Sequence, residues 1–256
     1  NGTVTVMLWF KARDVSSYRG LMGIGPGGGT ANTGDIRMQG GNVDAYWHGD
    51  VGSAGRLGTT ILVADKWYHV AAVFELGKHA DLYLNGVMEG DVTDIVNNAV
   101  SSDSWKASVG WNLYYDTATP FDGTIDEVKI VNRTLSSAEI VADYQKGAQA
   151  LFGTSDGELP TNDPYDNGVR FQPGRFVENL SVETAGVGGN VSLYLRFDDA
   201  DGGSGGVLDL SANGNDGTVS GTGIYVNDSV GGTAIKASDA TAATVPDDAT
   251  LDISEA

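Results

Sequence analysis

Short runs of alternating polar and apolar residues constrain the fold of this chain more than any other feature. The segment TVTVMLWFKA (residues 3–12) alternates Val, Leu and Phe with Thr and Lys, which is the period of a β-strand with one buried face. Met7 and Trp9 interrupt the polar face, so we expect that face to be covered as well. Residues 1–134 consist almost entirely of such runs, separated by turns.

Turn residues divide these runs into hairpins. Gly40 and Gly41 join the strand-like residues 36–39 to residues 43–48. The run WYHVAAVF (67–74) is the strongest predicted strand; it should pair with residues 81–84, after which Asn85-Gly86 supplies a tight hairpin turn. Further strands are predicted at residues 105–111, 124–131, 192–197, 233–237 and 242–245.

One helix is predicted, over residues 136–146. Ser136 can cap its first turn, and Glu139, three residues later, can complete a capping box. Apolar residues recur along one side of this segment, as in a helix that packs on a core. Gly147 is the expected end of the helix, because glycine is favoured just beyond the last helical turn.

Residues 153–191 differ in character from the rest of the chain. Three of the six prolines fall here, among Gly, Asp and Asn, which is typical of a connector. The stretch VRFQPGRFVENLSV (169–182) nevertheless has enough apolar residues to dock on another surface. The connector divides the chain into two portions, residues 1–152 and residues 192–256.

The charge of the chain limits its partners. It has 34 Asp and Glu against 15 Lys and Arg, a formal net charge of −19, whereas nucleic-acid binding needs clustered bases. Cysteine is absent, which excludes disulfides and thiol chemistry. No run of 18 apolar residues occurs, so we expect no membrane span. The first residue is not Met, so we expect a processed or excised segment.

A family resemblance is carried by several motifs taken together. They are VTVMLWFKA (4–12), KWYHVAAVF (66–74), DLYLNGV (81–87), ASVGWN (107–112), FDGTIDEVKI (121–130), TLSSAEI (134–140), LYLRFDD (193–199) and DLSANGNDGTV (209–219). In these segments the chain resembles the laminin-G-like jelly rolls of the concanavalin A type, which occur in bacterial and archaeal surface proteins. The resemblance implies an all-β fold, a two-sheet antiparallel jelly-roll β-sandwich with one short helix.

The motifs occur in a rotated order, because the C-terminal motif of the family precedes its N-terminal motif. The resemblance therefore implies a sandwich that is split across the chain termini, with Asn1 close to Ala256. Two alternatives stay open. Residues 192–256 return to their own chain in a circularly permuted domain, or they complete a neighbouring copy in a tandem array or filament. The length of the connector favours the second.

Calcium is the cofactor that the resemblance implies. In the family, the N- and C-terminal strands lie side by side and often share a structural calcium ion, which takes about six to eight oxygen ligands. The alternative is that the acids concerned end strands and stabilise turns, as Asp often does. The candidate ligands are Asp122, Asp126, Asp198, Asp199, Asp209 and Asn213.

Aromatic side chains are candidates for glycan binding, since sugars stack on aromatic faces. The segment WNLYYD (111–116) is a plausible loop tip for this role. The alternative is that Trp111 and Tyr114 are core or interface residues. The candidates are Tyr46, Trp47, Trp111, Tyr114 and Tyr115.

Catalysis is not expected. The fold includes glycan hydrolases with carboxylates spaced Glu-x-Asp-x-x-Glu on one strand face, whereas Asp126 and Glu127 are adjacent and Lys129 stands where a third acid would be needed. The three histidines His48, His69 and His79 lack a metal-ligand spacing. His69 lies inside an apolar strand and should be a hydrogen-bonded structural residue.

Three functions fit these observations. The first is a non-catalytic extracellular or cell-surface protein, a structural or adhesive repeat or filament subunit whose halves complement each other head to tail, because a lone half would expose strand edges. The second is a self-contained, permuted carbohydrate-binding module, and the third is a glycan hydrolase. The expected partners are neighbouring copies and glycans. Candidate glycosylation sequons begin at Asn132, Asn179, Asn190 and Asn227, and would matter only for an exported protein.

Overall fold

The alternating runs form the strands of two antiparallel sheets in the computed structural model of this chain. The structure describes residues 2–29, 33–49, 53–75, 79–93, 105–114, 120–152, 191–197, 206–211, 213–220, 225–226, 229–230, 234–237, 242–246 and 251. The prediction of an all-β, two-sheet antiparallel jelly-roll sandwich with one helix is confirmed.

Strands make up most of the described residues, and a single helix follows the tenth strand. In chain order the elements are β1 (Thr3–Ala12), β2 (Arg19–Gly25), β3 (Thr33–Gln39), β4 (Asn42–His48), β5 (Ser53–Leu57), β6 (Trp67–Glu75), β7 (His79–Leu84), β8 (Val87–Thr93), β9 (Lys106–Val109), β10 (Gly123–Val131), α1 (Ser137–Phe152), β11 (Val191–Leu195), β12 (Gly206–Val207), β13 (Gly217–Ser220), β14 (Tyr225–Val226), β15 (Ala234–Ala237) and β16 (Ala242–Val245).

Sheet A has the strand order β14-β15-β10-β1-β6-β7-β8, with β11 also paired to β10, and sheet B has the order β12-β13-β16-β9-β2-β3-β4-β5. The main core lies between the two sheets, where the inward residues of β1, β2, β3, β4, β6, β7 and β10 are buried. Val4 of the first strand and Leu251, the last described residue, belong to the same core cluster.

The two portions of the chain complete one sandwich. One edge of β10 is shared end to end by two strands of the C-terminal portion: β15 pairs with residues 123–125, and β11 pairs with residues 128–131. In sheet B, β16 lies between β13 and β9. The C-terminal portion therefore supplies strands to both sheets, as expected for a fold that is split across the termini.

Helix α1 covers the outer face of sheet A. The capping box is present, because the Ser136 amide donates to Glu139 Oε2 (2.8 Å) and the Glu139 amide donates to Ser136 Oγ (3.4 Å). Met7 and Trp9, which interrupt the polar face of β1, are fully buried beneath this layer, which confirms that β1 is covered on both faces.

The prediction that Gly147 ends the helix is wrong, since α1 continues to Phe152. A Cβ atom at residue 147 would lie 2.4 Å from Trp9 Nε1, so the glycine allows the helix to pass close over the Trp9 indole.

No helix among the described residues is long and apolar enough to cross a membrane. Residues 153–190 of the connector, with the apolar stretch 169–182, lie outside the described residues, as do Asn1 and Ala256. Docking of that stretch and the proximity of the two termini therefore stay predictions.

Candidate binding face on sheet B

The outward side of β3 and β4 carries charged and aromatic residues. The two strands pair in register, with Ile36 opposite Ala45 and Arg37 opposite Asp44. Because side chains alternate between the faces of a strand, the apolar residues Ile36, Met38, Val43, Ala45 and Trp47 enter the core. Their neighbours Asp35, Arg37, Asp44, Tyr46 and His48 point to the opposite side of the sheet.

Arg37 is the centre of this face. Its Nε atom lies 2.8 Å and its Nη2 atom 2.7 Å from Asp44 Oδ2, and Nη1 donates to Tyr18 Oη at 2.7 Å. Burial opposes the charge of the guanidinium, but Asp44 outweighs burial and raises the pKa of Arg37. Burial also raises the pKa of Asp44, and Arg37 offsets only part of that effect.

Tyrosine rings pack against this ion pair. The guanidinium carbon of Arg37 lies 3.8 Å from the ring centroid of Tyr46 and 5.1 Å from that of Tyr18, within the range of a cation–π contact. Gly55, on the neighbouring strand, makes room for Tyr46, since a Cβ there would lie 2.1 Å from the ring. Both tyrosines stay partly exposed.

Asp35 connects the sheet to the segment that follows β9. Its side chain is fully buried; Oδ2 lies 3.0 Å from His48 Nε2, and Oδ1 accepts the Leu113 amide at 3.3 Å. The His48 ring stacks on Tyr114, with centroids 3.6 Å apart and an interplanar angle of 4°. One buried carboxylate thus orients both the histidine and the segment that carries Tyr114.

The segment 110–114 lies directly on β2. Cβ atoms at Gly20 and Gly23 would lie 2.1 Å from the Asn112 amide nitrogen and 2.4 Å from Leu113 Cβ, so these glycines permit the close approach. Asn112 Nδ2 also donates to Tyr18 Oη at 3.3 Å. The result is a layer of partly exposed rings over a buried polar layer. We call this surface the aromatic face, defined by Tyr18, Tyr46 and Tyr114.

The structure places the predicted glycan-binding residues in different environments. Tyr114 and Tyr46 are partly exposed and lie on the aromatic face. Trp111 is also partly exposed, but its indole Nε1 is buried and has no hydrogen-bond partner among the described residues. The expectation that Trp47 is exposed is wrong: it is 2% exposed and packs between Phe74 and Trp105 in the core. Its position in β4 is an inward one, so its ring is not presented to a ligand. Tyr115 lies outside the described residues.

The candidate calcium ligands that the structure describes are engaged in hydrogen bonds. Asp126 accepts the amides of Glu127 (2.8 Å) and Val230 (2.7 Å), and Asp122 forms an ion pair with Arg13. Among the described residues, no group of three or more His, Asp or Glu side chains is arranged to hold a metal ion. Asp198 and Asp199 lie outside the described residues, so calcium binding stays a prediction.

Asp209 organises the turn that opens the C-terminal portion. Its Oδ1 accepts the amides of Tyr194 (2.9 Å) and Ser211 (2.8 Å), and its Oδ2 accepts the Asn215 amide (2.9 Å). Asn213 Nδ2 donates to the Val191 carbonyl at 2.8 Å. These contacts are what a turn-stabilising Asp makes, which is the alternative that the sequence left open.

A second cluster of charged residues is buried between helix α1 and sheet A. Lys129 Nζ lies 2.7 Å from Asp143 Oδ1 and 3.5 Å from Glu127 Oε2, and His69 Nε2 lies 3.2 Å from Asp143 Oδ2. Burial alone would raise the pKa of Asp143, but Lys129 and His69 hold it well below its usual range. The prediction that His69 is a hydrogen-bonded structural residue is confirmed.

Glu127 lies where β10 changes neighbours. Its φ of 51° is left-handed, and the register of β1 and β10 shifts at this point. The Glu127 carboxylate accepts the Tyr194 hydroxyl at 2.6 Å and faces Arg196 Nε at 3.2 Å. Burial and the neighbouring Glu127 charge raise the pKa of Tyr194. Asp126 and Glu127 thus have separate partners.

Among the predicted sequons, only Asn132 falls within the described residues, and it is exposed just after β10. Asn179, Asn190 and Asn227 lie outside them. Glycosylation stays a prediction at all four positions.

Comparison with known proteins agrees with this fold. The family model for the laminin G type of the concanavalin A-like lectin/glucanases superfamily matches residues 1–141, and the chain therefore belongs to this family. A search of curated proteins found no match.

Several solved structures are similar to the chain at low identity. The CBM40 domain of the Ruminococcus gnavus IT-sialidase, bound to α2,3-sialyllactose, is 18% identical over 56% of this chain and 83% of that one, with a TM-score of 0.47. A heptameric SAP-like pentraxin from Limulus polyphemus is 12% identical over 54% and 68%, with a TM-score of 0.43. Domain 4 of the arabinanase AbnA from Geobacillus stearothermophilus, in complex with arabinotriose, is 21% identical over 54% and 65%, with a TM-score of 0.42.

Proposed function

We propose that this chain is a non-catalytic glycan-binding module of an extracellular or cell-surface protein, and that the glycan lies across the aromatic face. The observation that carries the proposal is the fixed position of the rings. Tyr46 rests on the Arg37 guanidinium at 3.8 Å and Tyr114 on the His48 ring at 3.6 Å. Rings that are already held in place lose little conformational entropy when a sugar stacks on them.

The polar groups under the rings suit recognition better than hydrolysis. A glycosidase needs two carboxyl groups on either side of the scissile bond, one of which donates a proton. Asp35 and Asp44, the described acids of this face, are buried and engaged with His48 and Arg37. Their positions support an orienting role for the layer beneath the rings.

Binding to a glycan array, followed by calorimetric titration of the best ligand, tests the proposal. Tyr46→Ala and Tyr114→Ala should each weaken binding about 5- to 50-fold, which corresponds to about 1–2 kcal/mol of lost stacking. Tyr225→Ala is the matched control, because Tyr225 is a partly exposed tyrosine of sheet A. If Tyr46→Ala and Tyr114→Ala both bind the ligand as tightly as the Tyr225→Ala control does, the proposed site is wrong.

The alternative is a filament or adhesive repeat, in which residues 192–256 complete a neighbouring copy. The observation that favours it is the length of chain between Phe152 and Val191. At about 3.3–3.6 Å per residue, that chain could reach a neighbouring molecule. Size-exclusion chromatography with light scattering separates the two: a 26.6 kDa monomer excludes exchange, whereas ladders or fibres support it.

Calcium binding remains a separate proposal. Since Asp126 and Asp209 already accept backbone amides, the ligands would come mainly from Asp198, Asp199 and Asp122, with carbonyl groups near Asn213. Calcium would act by stabilising the fold, because an ion that binds only the native state adds to its stability. Thermal melting with and without a chelator tests this; an unchanged melting temperature would reject the site.

A further inference from the structure

The aromatic face is longer than a single sugar, and its length follows from the register of β3 and β4. Three cross-strand pairs of this hairpin follow one another at intervals of two residues on the side away from the core. The pairs are Arg37 with Asp44, Asp35 with Tyr46, and Thr33 with His48. Two residues of an extended strand span about 6.6 Å, so the first and third pairs are about 13 Å apart along the hairpin.

Each of the three pairs is accompanied by one tyrosine ring. At the first pair, the Tyr18 ring centroid lies 5.1 Å from the guanidinium carbon of Arg37, and the Tyr18 hydroxyl accepts from Arg37 Nη1. At the second pair, Tyr46 is itself a member. At the third pair, the Tyr114 ring stacks on His48 at 3.6 Å. The rings therefore form a row along the strands instead of a cluster around one point.

The segment that carries Tyr114 runs in the same direction as the row. Two residues of this segment lie on two glycines of β2, whose partners in β3 belong to the first and second pairs. These contacts are Gly20, opposite Arg37, with Asn112, and Gly23, opposite Asp35, with Leu113. Tyr114 is the next residue of the segment, so it reaches the third pair, at the end of the row that is remote from Tyr18.

We propose that the aromatic face takes a run of about three to four consecutive sugar units of a glycan chain and not a single terminal sugar. This inference rests on the glycan-binding function proposed above. Since single bonds are about 1.5 Å long, one six-membered sugar with its linking oxygen extends a chain by about 5 Å. A run of three to four units is therefore needed to contact both Tyr18 and Tyr114, whereas a monosaccharide contacts only part of the row.

The affinity of a ligand should depend on how many of these rings it reaches. The rings are already held in place by the polar layer beneath them, so they lose little freedom when a sugar stacks on them. Each further ring that a longer ligand contacts should raise its affinity by about two- to tenfold. Units beyond those that contact the two end rings gain no stacking in this row, so the affinity should then level off.

Calorimetric titration of the full chain with oligosaccharides of increasing length tests the inference. The probes are cello-, xylo-, manno- and arabino-oligosaccharides of one to about six units, used after affinity gels with the corresponding polysaccharides. We expect the affinity to rise at least about tenfold from the disaccharide to the tetrasaccharide, and to change less than about twofold from there to the hexasaccharide. A disaccharide that binds as tightly as the tetrasaccharide would overturn the inference and leave the glycan-binding function intact.

Variants at the two ends of the row locate the effect. Tyr114→Ala should weaken the binding of the tetrasaccharide about fivefold and that of the disaccharide less, because a disaccharide still reaches the two remaining rings. Tyr18→Ala repeats the test at the other end. Tyr46→Ala, in the middle of the row, should weaken ligands of every length.

The dependence on length separates a lost contact from a disturbed fold, since a disturbed fold would weaken all lengths by the same factor. If neither end variant shows a loss that grows with ligand length, the inference is wrong. Binding on the glycan array that is restricted to glycans sharing only a terminal sugar would also overturn it. If no saccharide binds to the folded chain, the proposed function itself is wrong.

Discussion

The outer face of each sheet contains an ion pair next to a tyrosine ring, but the surroundings of the two pairs differ. On sheet A, Lys129 pairs with Asp143, and its Nζ atom lies 5.0 Å from the ring centroid of Tyr194. On sheet B, Arg37 pairs with Asp44 next to Tyr46. Helix α1 seals the first pair, whereas the second lies under rings that remain partly exposed. The same combination of ion pair and aromatic ring fastens a helix in one place and supports a surface in the other.

The largest effect should come from breaking the sealed pair. Asp143→Ala removes the nearer of the two carboxylates that face buried Lys129 and leaves only Glu127, at 3.5 Å, so we expect the free energy of unfolding to fall by about 3 kcal/mol in urea titrations. The double variant Lys129→Met with Asp143→Leu is the control and should recover most of the loss, because it removes both charges. A loss below about 1 kcal/mol for Asp143→Ala would show that the pair does not anchor the helix.

Removing the acid of the ion pair on sheet B should destabilise the fold less than Asp143→Ala does, but it should weaken glycan binding. Asp44→Ala removes the partner of Arg37, but Arg37 keeps its hydrogen bond to Tyr18 and its contact with the Tyr46 ring. We expect about 1–3 kcal/mol of destabilisation, together with weaker binding of the glycan. If Asp44→Ala destabilises as much as Asp143→Ala and leaves binding unchanged, the distinction between the two faces is wrong.

The smallest effect should appear at the exposed start of helix α1. The Arg133 side chain and the Ser136 amide hold the pKa of Glu139 at about 2, below its ordinary value of 4.5. A depressed carboxyl pKa contributes stability above about pH 4.5, and the contribution is lost as the pH falls towards 2. Glu139→Gln should therefore lower the melting temperature slightly at pH 7 and have almost no effect near pH 2. A difference of the same size at both pH values would contradict this assignment.

Much of the fold was predictable because its signals are local. Alternation in β1, the glycine pair between β3 and β4, and Asn85-Gly86 before β8 each specify a strand or a turn within a few residues. The capping box at Ser136 was also predictable from a few neighbouring residues. The prediction that Gly147 ends the helix was wrong because this glycine serves a tertiary contact. It leaves space for Trp9, which is 138 residues away in sequence.

The candidate site was only partly predictable. The runs TGDIRMQ and NVDAYWH show the alternation that places Asp35, Arg37, Asp44 and His48 on one side, yet nothing local shows that Arg37 faces Asp44 across the hairpin. The prediction that Trp47 is exposed was wrong because it ignored this alternation, which places Trp47 on the inward side of β4. The contact between Asp35 and Leu113 spans 78 residues and follows only from the assembled sheet.

The shared edge of β10 affects the timing of folding during synthesis. The strands that complete this edge are β11 and β15, and β16 lies beside β9; all three fall within residues 191–245. Residues 1–152 therefore leave the ribosome with two open strand edges and one incomplete core, which are surfaces on which chains aggregate. The closing contacts are also distant in sequence, and such contacts form slowly. The edges of β9 and β10 that these contacts close therefore stay open until residues 191–245 have been synthesised.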